Sequence, residues 1–379
     1  MGEDVSVILS YKYRLMPTRA QHRALERILE DQRQLYNAAL SERIDCYRKT
    51  GNGRSYMDQC KAVVEWRSDD PLAASVPANL QRWTLKRLDD AYKAFFRRLN
   101  IRNGKAGFPR FRGRGRWSSF GFAEFSGIRF DGRRLRFNGL PSGLRVHTHR
   151  AMPEGKILSC TFTRDAKGWS VSFQKRVACE SRRDPIRVIG IDVGLTSLAT
   201  LSDGSAIPNV RPAKRAEREM CFRQRALARC KRGSNRRKKV RAQVARLHRR
   251  IANARATHLH QTTAGLVNSY DLIAVEKLNV KGMARSMLAK SVHDASWGRL
   301  RQMLSYKAAR AGARVVEVDP RNTSQACSCC GVIVPKALST RIHECVECGT
   351  ALDRDHNAAI NILHRALRHD GRTMPPWRR

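Results

Sequence analysis

The stretch Val188-Ile189-Gly190-Ile191-Asp192-Val193-Gly194-Leu195 decides how the rest of the chain is read. Four apolar or small residues run without polar interruption, which suits a strand covered on both faces, and the run ends on a carboxylate. Gly194 turns the chain, Leu198 to Leu201 return, and Asp203-Gly204 supply a hairpin turn. A single acid at a strand end is commonly only a turn residue. It gains meaning if other acids stand at the ends of other elements.

Two more do. Leu272 to Val275 read as another strand, ending on Glu276, and a last helix opens near Asp355, where the positive end of the helix dipole favours an acid. Asp353 suits the N-cap of that helix, so the residues alone leave Asp353 and Asp355 both open as the third acid. Hydrolysis of phosphodiesters with two metal ions needs acids that clamp two Mg²⁺ roughly 3.5–4 Å apart, and magnesium prefers carboxylate oxygen. Three acids at element ends in a strongly basic chain follow the logic of an RNase H-like core.

Working outward, 74 Lys and Arg stand against 33 Asp and Glu, a formal net charge of +41 over 379 residues. Such a field repels itself, and the polyanion that relieves it is nucleic acid. Between Arg211 and Arg250 there are seventeen Lys/Arg and two Glu. Gly233-Ser234-Asn235 divide that run into two expected helices, a basic αα-hairpin. No apolar run has the length of a membrane span, and Gly2, Glu3 and Asp4 follow Met1 where a signal peptide would need an apolar region. The expected location is the cytoplasm.

Eleven cysteines are present, an odd number. Cys327-x-x-Cys330 and Cys345-x-x-Cys348 lie fourteen residues apart, each followed by a glycine, Gly331 or Gly349. That spacing predicts four thiolates around one zinc, with all four positions filled and the ion therefore structural. Cys329 is a spare thiol inside the first knuckle, and His343 a weaker ligand.

Toward the N-terminus, Leu9, Tyr11, Tyr13 and Leu15 alternate with polar residues, a half-buried strand. Thr18 then caps a helix running to about Tyr47. Gly51 to Gly53 break the pattern, and a second helix is expected from Leu80 to Leu99. Gly104 to Gly115 form a basic loop. Strands are expected at Ile128–Phe130, Leu135–Phe137, Ile157–Thr163 and Trp169–Phe173, in a small barrel or sandwich.

Three of these segments resemble the RuvC motifs of the TnpB family of transposon-encoded proteins. They are Gly190 to Leu195, Ala274-Val275-Glu276-Lys277-Leu278, and Asp353-Arg354-Asp355-His356-Asn357-Ala358-Ala359-Ile360-Asn361-Ile362. Thr323-Ser324-Gln325, leading into the four cysteines, is similar to the family's zinc-ribbon insertion. Gly107-Phe108-Pro109-Arg110-Phe111 and the Gly233 to Lys239 junction match as well. The resemblance covers nearly the whole chain and is most specific in its C-terminal half. It implies an RNA-guided DNA endonuclease, a relative of type V CRISPR effectors, with guide RNA and double-stranded target DNA as partners. By it, Asp192, Glu276 and Asp355 are catalytic and hold two Mg²⁺, with Mn²⁺ as an alternative, and Asp355 rather than Asp353 is the third acid. Cys327, Cys330, Cys345 and Cys348 hold zinc.

The implied fold is α+β and multidomain. Residues 183–325 make an RNase H-like (RuvC) α/β core with a basic hairpin at 211–265, residues 326–350 a zinc-ribbon insertion, and residues 351–379 the end of the core and a basic tail. Residues 1–15 and 101–182 make a wedge-like β-barrel, interrupted by a helical recognition domain at 16–100. Nucleic-acid contacts are expected from Arg110, Arg112, Arg114, Arg116, Ser118 and Ser119, and from Lys231, Arg232, Arg236, Arg237, Lys238 and Lys239. The chain is expected to act as a monomer with its RNA. The rival readings are a guide-independent transposase or resolvase on the same core, and a nuclease-silent RNA-guided DNA-binding regulator.

Overall fold

The computed structural model describes residues 6–101, 106–181, 184–337 and 339–369. Residues 1–5, the Gly104–Lys105 part of the basic loop, and the tail 370–379 lie outside the described residues. The chain divides into two compact units, Ile8–Val177 and Ala178–Arg379 with the first seven residues. Both are mixed α and β.

The N-terminal unit opens on β1 (Ser6–Met16), where Leu9, Tyr11, Tyr13 and Leu15 are buried in strict alternation. Helices α1 (Arg19–Thr50), α2 (Tyr56–Asp69), α3 (Pro71–Ala74) and α4 (Ala78–Leu99) follow before the sheet resumes. Thr18 and Gln21 form a reciprocal capping box at the start of α1, and Gly51, at φ 70°, ends it. A polar knot joins three helices, with Arg43 donating to Gln59 Oε1 at 2.7 Å and lying 3.4 Å from Asp89.

The sequence reading carried no helix between Gly53 and Leu80. Helix α2 has a narrow inward face, only Gln59 and Val63 being buried, so its apolar periodicity is weak. Its one clear signal is the capping box of Ser55 with Asp58.

Strands β2 (Ser119–Phe122), β3 (Ile128–Phe130), β4 (Arg134–Phe137), β5 (Leu144–His147), β6 (Ile157–Asp165) and β7 (Gly168–Ala178) complete a seven-stranded sheet. Its order is β2-β6-β7-β1-β5-β4-β3. Phe122 on one edge strand meets Phe137 of β4 at 5.2 Å between ring centroids, and Phe130 on the other edge stacks on Phe173 of β7 at 4.9 Å. Contacts between strands so far apart in the order require the sheet to curl over an aromatic core.

In the C-terminal unit β8 (Val188–Asp192), β9 (Ser197–Leu201) and β10 (Ala206–Pro208) are antiparallel neighbours. Helices α5 (Pro212–Arg215), α6 (Glu217–Ala228) and α7 (Asn235–Ser269) precede β11 (Leu272–Glu276). Then come α8 (Val280–Met283), α9 (Ala289–Ala295), α10 (Trp297–Arg310) and β12 (Arg314–Val318). The ribbon strands β13 (Ile342–Glu344) and β14 (Ala351–Asp353) lead to α11 (Arg354–His369). The main sheet has the order β10-β9-β8-β11-β12, with β8, β11 and β12 parallel.

Both faces of this sheet are covered. Ile189, Ile191, Ile273 and Val275 pack with Leu259 and Leu266 of α7 and Leu300 and Leu304 of α10. On the opposite face Leu272, Ala274 and Val318 pack with Ile362 and Ala366 of α11. Gly190 faces α11 so closely that a Cβ there would sit 2.1 Å from the Ala359 carbonyl oxygen and 2.9 Å from Leu363 Cβ. The backbone of β8 can meet the helix at this distance only because residue 190 has no side chain.

Gly190→Ala is therefore expected to push α11 off β8 and cost at least the ~1–3 kcal/mol of an overpacked core. Urea unfolding of the two proteins checks it. A midpoint within error of the wild-type would mean that the helix yields without cost.

Candidate active site and zinc ribbon

Strand alternation places the acids. Gly190 and Ala274 lie on the α11 face, two residues before Asp192 and Glu276, so both carboxylates belong to that face. Val275 is registered with Ile191, which brings Asp192 and Glu276 to the same ends of adjacent parallel strands. The same face is covered by α11, whose first turn carries Asp355. All three acids are half-buried. Asp353 Oδ1 accepts from the backbone N–H groups of Asp355 and His356 at 2.9 and 3.1 Å. It caps α11 and leaves the Asp355 side chain to face the other two acids.

The cluster is electrostatically costly on its own. Asp192 is held well above the usual carboxylate range, first by its enclosed surroundings and then by the charges of Glu276 and Asp355. Enclosure also raises Glu276, opposed by a hydrogen bond from Thr323 and by the charge of Arg365. Arg354 donates from Nε and Nη2 to Asp355 Oδ1 at 3.1 and 3.0 Å, and Arg341 lies 3.8 Å from Oδ2. Converging, mutually repelling carboxylates are the donor set that a hard divalent cation fits.

The four cysteines form a second ligand set. Their sulfurs all lie within 4.8 Å of one another, Cys327 to Cys348 at 3.6 Å and Cys330 to Cys345 at 3.5 Å. Tetrahedral zinc with Zn–S near 2.3 Å asks for about 3.8 Å between sulfurs. The two knuckles have matching backbones: Gly331 N–H donates to Cys327 O and Gly349 N–H to Cys345 O, with φ at 82° and 70°. Cys329 points outward and His343 is fully buried but outside the sulfur set. The set suits a structural zinc ion, with all four ligands coming from the protein.

The expected nucleic-acid contacts fall in two groups, one in each unit. Arg110, Arg112, Arg114, Arg116 and Ser118 are exposed. Their loop is fixed by Asn37, whose side chain pairs with the Arg112 backbone at 2.8 and 3.0 Å, and by Trp117, buried between Tyr36 and the Arg87 guanidinium. Ser119 is half-buried and its hydroxyl accepts from Arg87 at 3.0 Å. Lys231, Arg232, Arg236, Lys238 and Lys239 are exposed around the α6–α7 turn. Arg237 is half-buried and donates to the carbonyls of Leu227 and Cys230 at 2.8 and 3.0 Å, where it caps the end of α6.

Sequence reasoning did not single out the residues that support the acids. Thr323, Asn357, Asn361, Arg354 and Arg365 stand inside or beside the quoted motifs. Their spacing on α11, 357-361-365, would have placed three of them on one helix face.

Comparison with known proteins identifies the family. The family description "Probable transposase" (OrfB, IS605) matches residues 170–287, "Cas12f1-like, TNB domain" residues 297–362, and a "Helix-turn-helix domain" residues 1–52. A Streptomyces pristinaespiralis protein named "Putative RNA-guided DNA endonuclease" is 34% identical over 374 residues, covering 94% of this chain and 89% of that one. Escherichia coli K12 has a similar protein, "Putative RNA-guided DNA endonuclease InsQ", at 28% identity over 93% and 91%. The CRISPR-associated endodeoxyribonuclease Cas12f1 of Sulfoacidibacillus thermotolerans is 28% identical over 46% of this chain and 45% of its own. In fold, the chain is similar to Cas12f1 in a complex with single-guide RNA and target DNA, at TM-score 0.56 and 16% identity over 91% and 83% of the two chains. The chain belongs to the TnpB (IS605 OrfB) family, and is a relative of the Cas12 effectors.

Two outcomes follow from this geometry. An acid with a raised folded-state pKa disfavours the folded state as pH rises past its unfolded value of about 3.9, and the cost is complete above the folded value. Without divalent cation Asp192 is therefore expected to take stability away as pH climbs from that range. Millimolar Mg²⁺ should restore it, as melting temperatures against pH would show; curves that coincide with and without Mg²⁺ would contradict the clustered acids. Separately, Cys345→Ser should lower bound zinc from one per chain to near zero and open residues 326–353 to limited proteolysis, read by metal analysis and mass spectrometry.

Proposed function

We propose that this chain is an RNA-guided DNA endonuclease of transposon origin that cuts at Asp192, Glu276 and Asp355. The observation that carries the reading is the convergence of these acids on one face of a sheet ordered β10-β9-β8-β11-β12. That order, with one helix delivering the third acid, is the arrangement of an RNase H-like (RuvC) nuclease core. The family's relatives bear names that supply the guide and the substrate.

In this reading residues 183–325 and 351–369 make the nuclease core, residues 326–350 insert as the zinc ribbon, and the curled sheet is a wedge-like domain interrupted by the helical domain. Two Mg²⁺ ions, when bound, supply Lewis acidity and an activated water at neutral pH. The chain's own contribution is placement. Asp192 and Glu276 are fixed by parallel register, Asp355 by the capped first turn of α11. Enclosure of Asp192, with the charges of Glu276 and Asp355 beside it, raises the cost of its carboxylate, a cost that a bound cation would offset. Arg354 holds one oxygen of Asp355 in place.

Sequence specificity falls to guide–target pairing, while exposed arginines and lysines bind backbones of guide RNA and target DNA. Guide RNA offsets the charge of +41, and the chain acts with it as a monomer in the prokaryotic cytoplasm. No helix among the described residues is long and apolar enough to cross a membrane.

Asp192→Ala should abolish DNA cutting, by about 10³-fold or more, while the affinity for co-purified RNA stays unchanged. Cleavage of a target plasmid library and filter binding of the RNA read the two arms. Full cutting by that variant sinks the mechanism, and cutting of target DNA by RNA-free protein favours a guide-independent transposase or resolvase.

A further inference from the structure

The segment between β12 and the first zinc knuckle is gripped by one face of α11. Arg365 Nη1 donates to the carbonyls of Asp319 and Arg321 at 2.7 and 2.6 Å. Asn361 Nδ2 donates to the carbonyls of Thr323 and Ala326 at 2.9 and 2.7 Å. Asn357 Nδ2 donates to Ala326 O at 2.8 Å, and its Oδ1 accepts from Ser328 N at 2.9 Å. Asn357 and Asn361 are 0% and 8% exposed. Buried amides satisfied in this way fix their partners' positions, because each broken bond would leave a polar group without water.

What this grip presents is Thr323. It is 4% exposed, and its hydroxyl lies 2.5 Å from Glu276 Oε1 and 3.1 Å from Pro320 O. One hydroxyl carries one proton, and the shorter approach to a charged acceptor takes it. The two ends of the same segment thus meet different sites. Thr323 touches Glu276, and four residues later Cys327 opens the zinc knuckle.

We propose that Thr323 is a positioning residue for Glu276: its hydroxyl occupies Oε1 and fixes the carboxylate plane, leaving Oε2 as the oxygen presented to a cation. Asn357 and Asn361 hold Thr323 in place from the helix that carries Asp355. The second and third acids are therefore set against each other by a shared polar clamp, with the zinc knuckle anchoring its far end. This inference rests on the nuclease reading above. Outer-shell partners of ligating carboxylates commonly change metal affinity by about 10- to 100-fold when removed.

The test uses zinc-loaded protein with its co-purified RNA and Mn²⁺ as the probe. Binding is followed by electron paramagnetic resonance, counting only the sites that Asp192→Ala removes. Thr323→Val keeps the side-chain shape and deletes the hydroxyl; it should weaken those sites about tenfold or more, with zinc content and melting temperature close to wild-type. Thr323→Ser keeps the hydroxyl and should stay within about threefold. If valine disturbs the loop, Thr323→Ala removes the same hydroxyl and carries the same expectation. Unchanged Mn²⁺ affinity in Thr323→Val, or equal losses in the valine and serine variants, overturns the inference. If Asp192→Ala removes no Mn²⁺ site, the nuclease reading fails instead.

Discussion

The enclosure of Asp192 beside two further half-buried acids is the constraint to which the rest of the C-terminal unit answers. Asp192 is held above the usual carboxylate range first by its burial and then by the charges of Glu276 and Asp355, and nothing in the hydrophobic core rewards bringing the three together. Their convergence is imposed by backbone. Parallel pairing of β8 with β11 sets two of them side by side, and the packing of α11 on β8 sets the third. The arrangement therefore stores an unfavourable charge interaction in a rigid frame, and a bound divalent cation is what turns that interaction favourable.

The frame explains several otherwise unconnected features. Gly190 has no side chain because α11 must approach β8 closely enough to deliver Asp355. Asp353 caps the helix, which frees Asp355 from that duty. Arg354 does two jobs: it holds Asp355 Oδ1 and donates to Thr340 O at 3.1 Å, linking the acid to the span between the two knuckles. The segments entering and leaving the ribbon both touch the acids, through Thr323 on one side and Arg354 on the other. A zinc ion held by the four cysteines would act on the site by fixing two chain crossings.

Much of this was legible in the residues, for identifiable reasons. Two of the acids were legible because strands buried on both faces are short apolar runs with sharp boundaries, and Val188 to Asp192 and Leu272 to Glu276 are of that kind. The cysteine spacing was legible because a knuckle is local. Helix α2 was not, since only two of its residues are buried and amphipathic periodicity fades with so narrow a face. The clamp made by Asn357, Asn361 and Arg365 was hidden for a different reason. Its partners are backbone groups 29 to 46 positions away, and a backbone partner leaves no mark on residue type.

The same distinction sorts the basic residues. Charge excess in the sequence announces a polyanion, but it cannot say which cations are spent inside the protein. Arg237 caps α6, Arg87 lies against Trp117, and Arg43 joins three helices. Each looks like a nucleic-acid contact in a count and is structural in the fold. Arg112 shows the intermediate case: Asn37 holds its backbone while its guanidinium lies 5.7 Å over the Tyr36 ring and stays exposed. An arginine anchored by its main chain loses little freedom on meeting a phosphate, because the loop that carries it is already ordered. Pre-ordering of this kind, rather than the number of positive charges, is what allows a strongly basic surface to hold nucleic acid in one register.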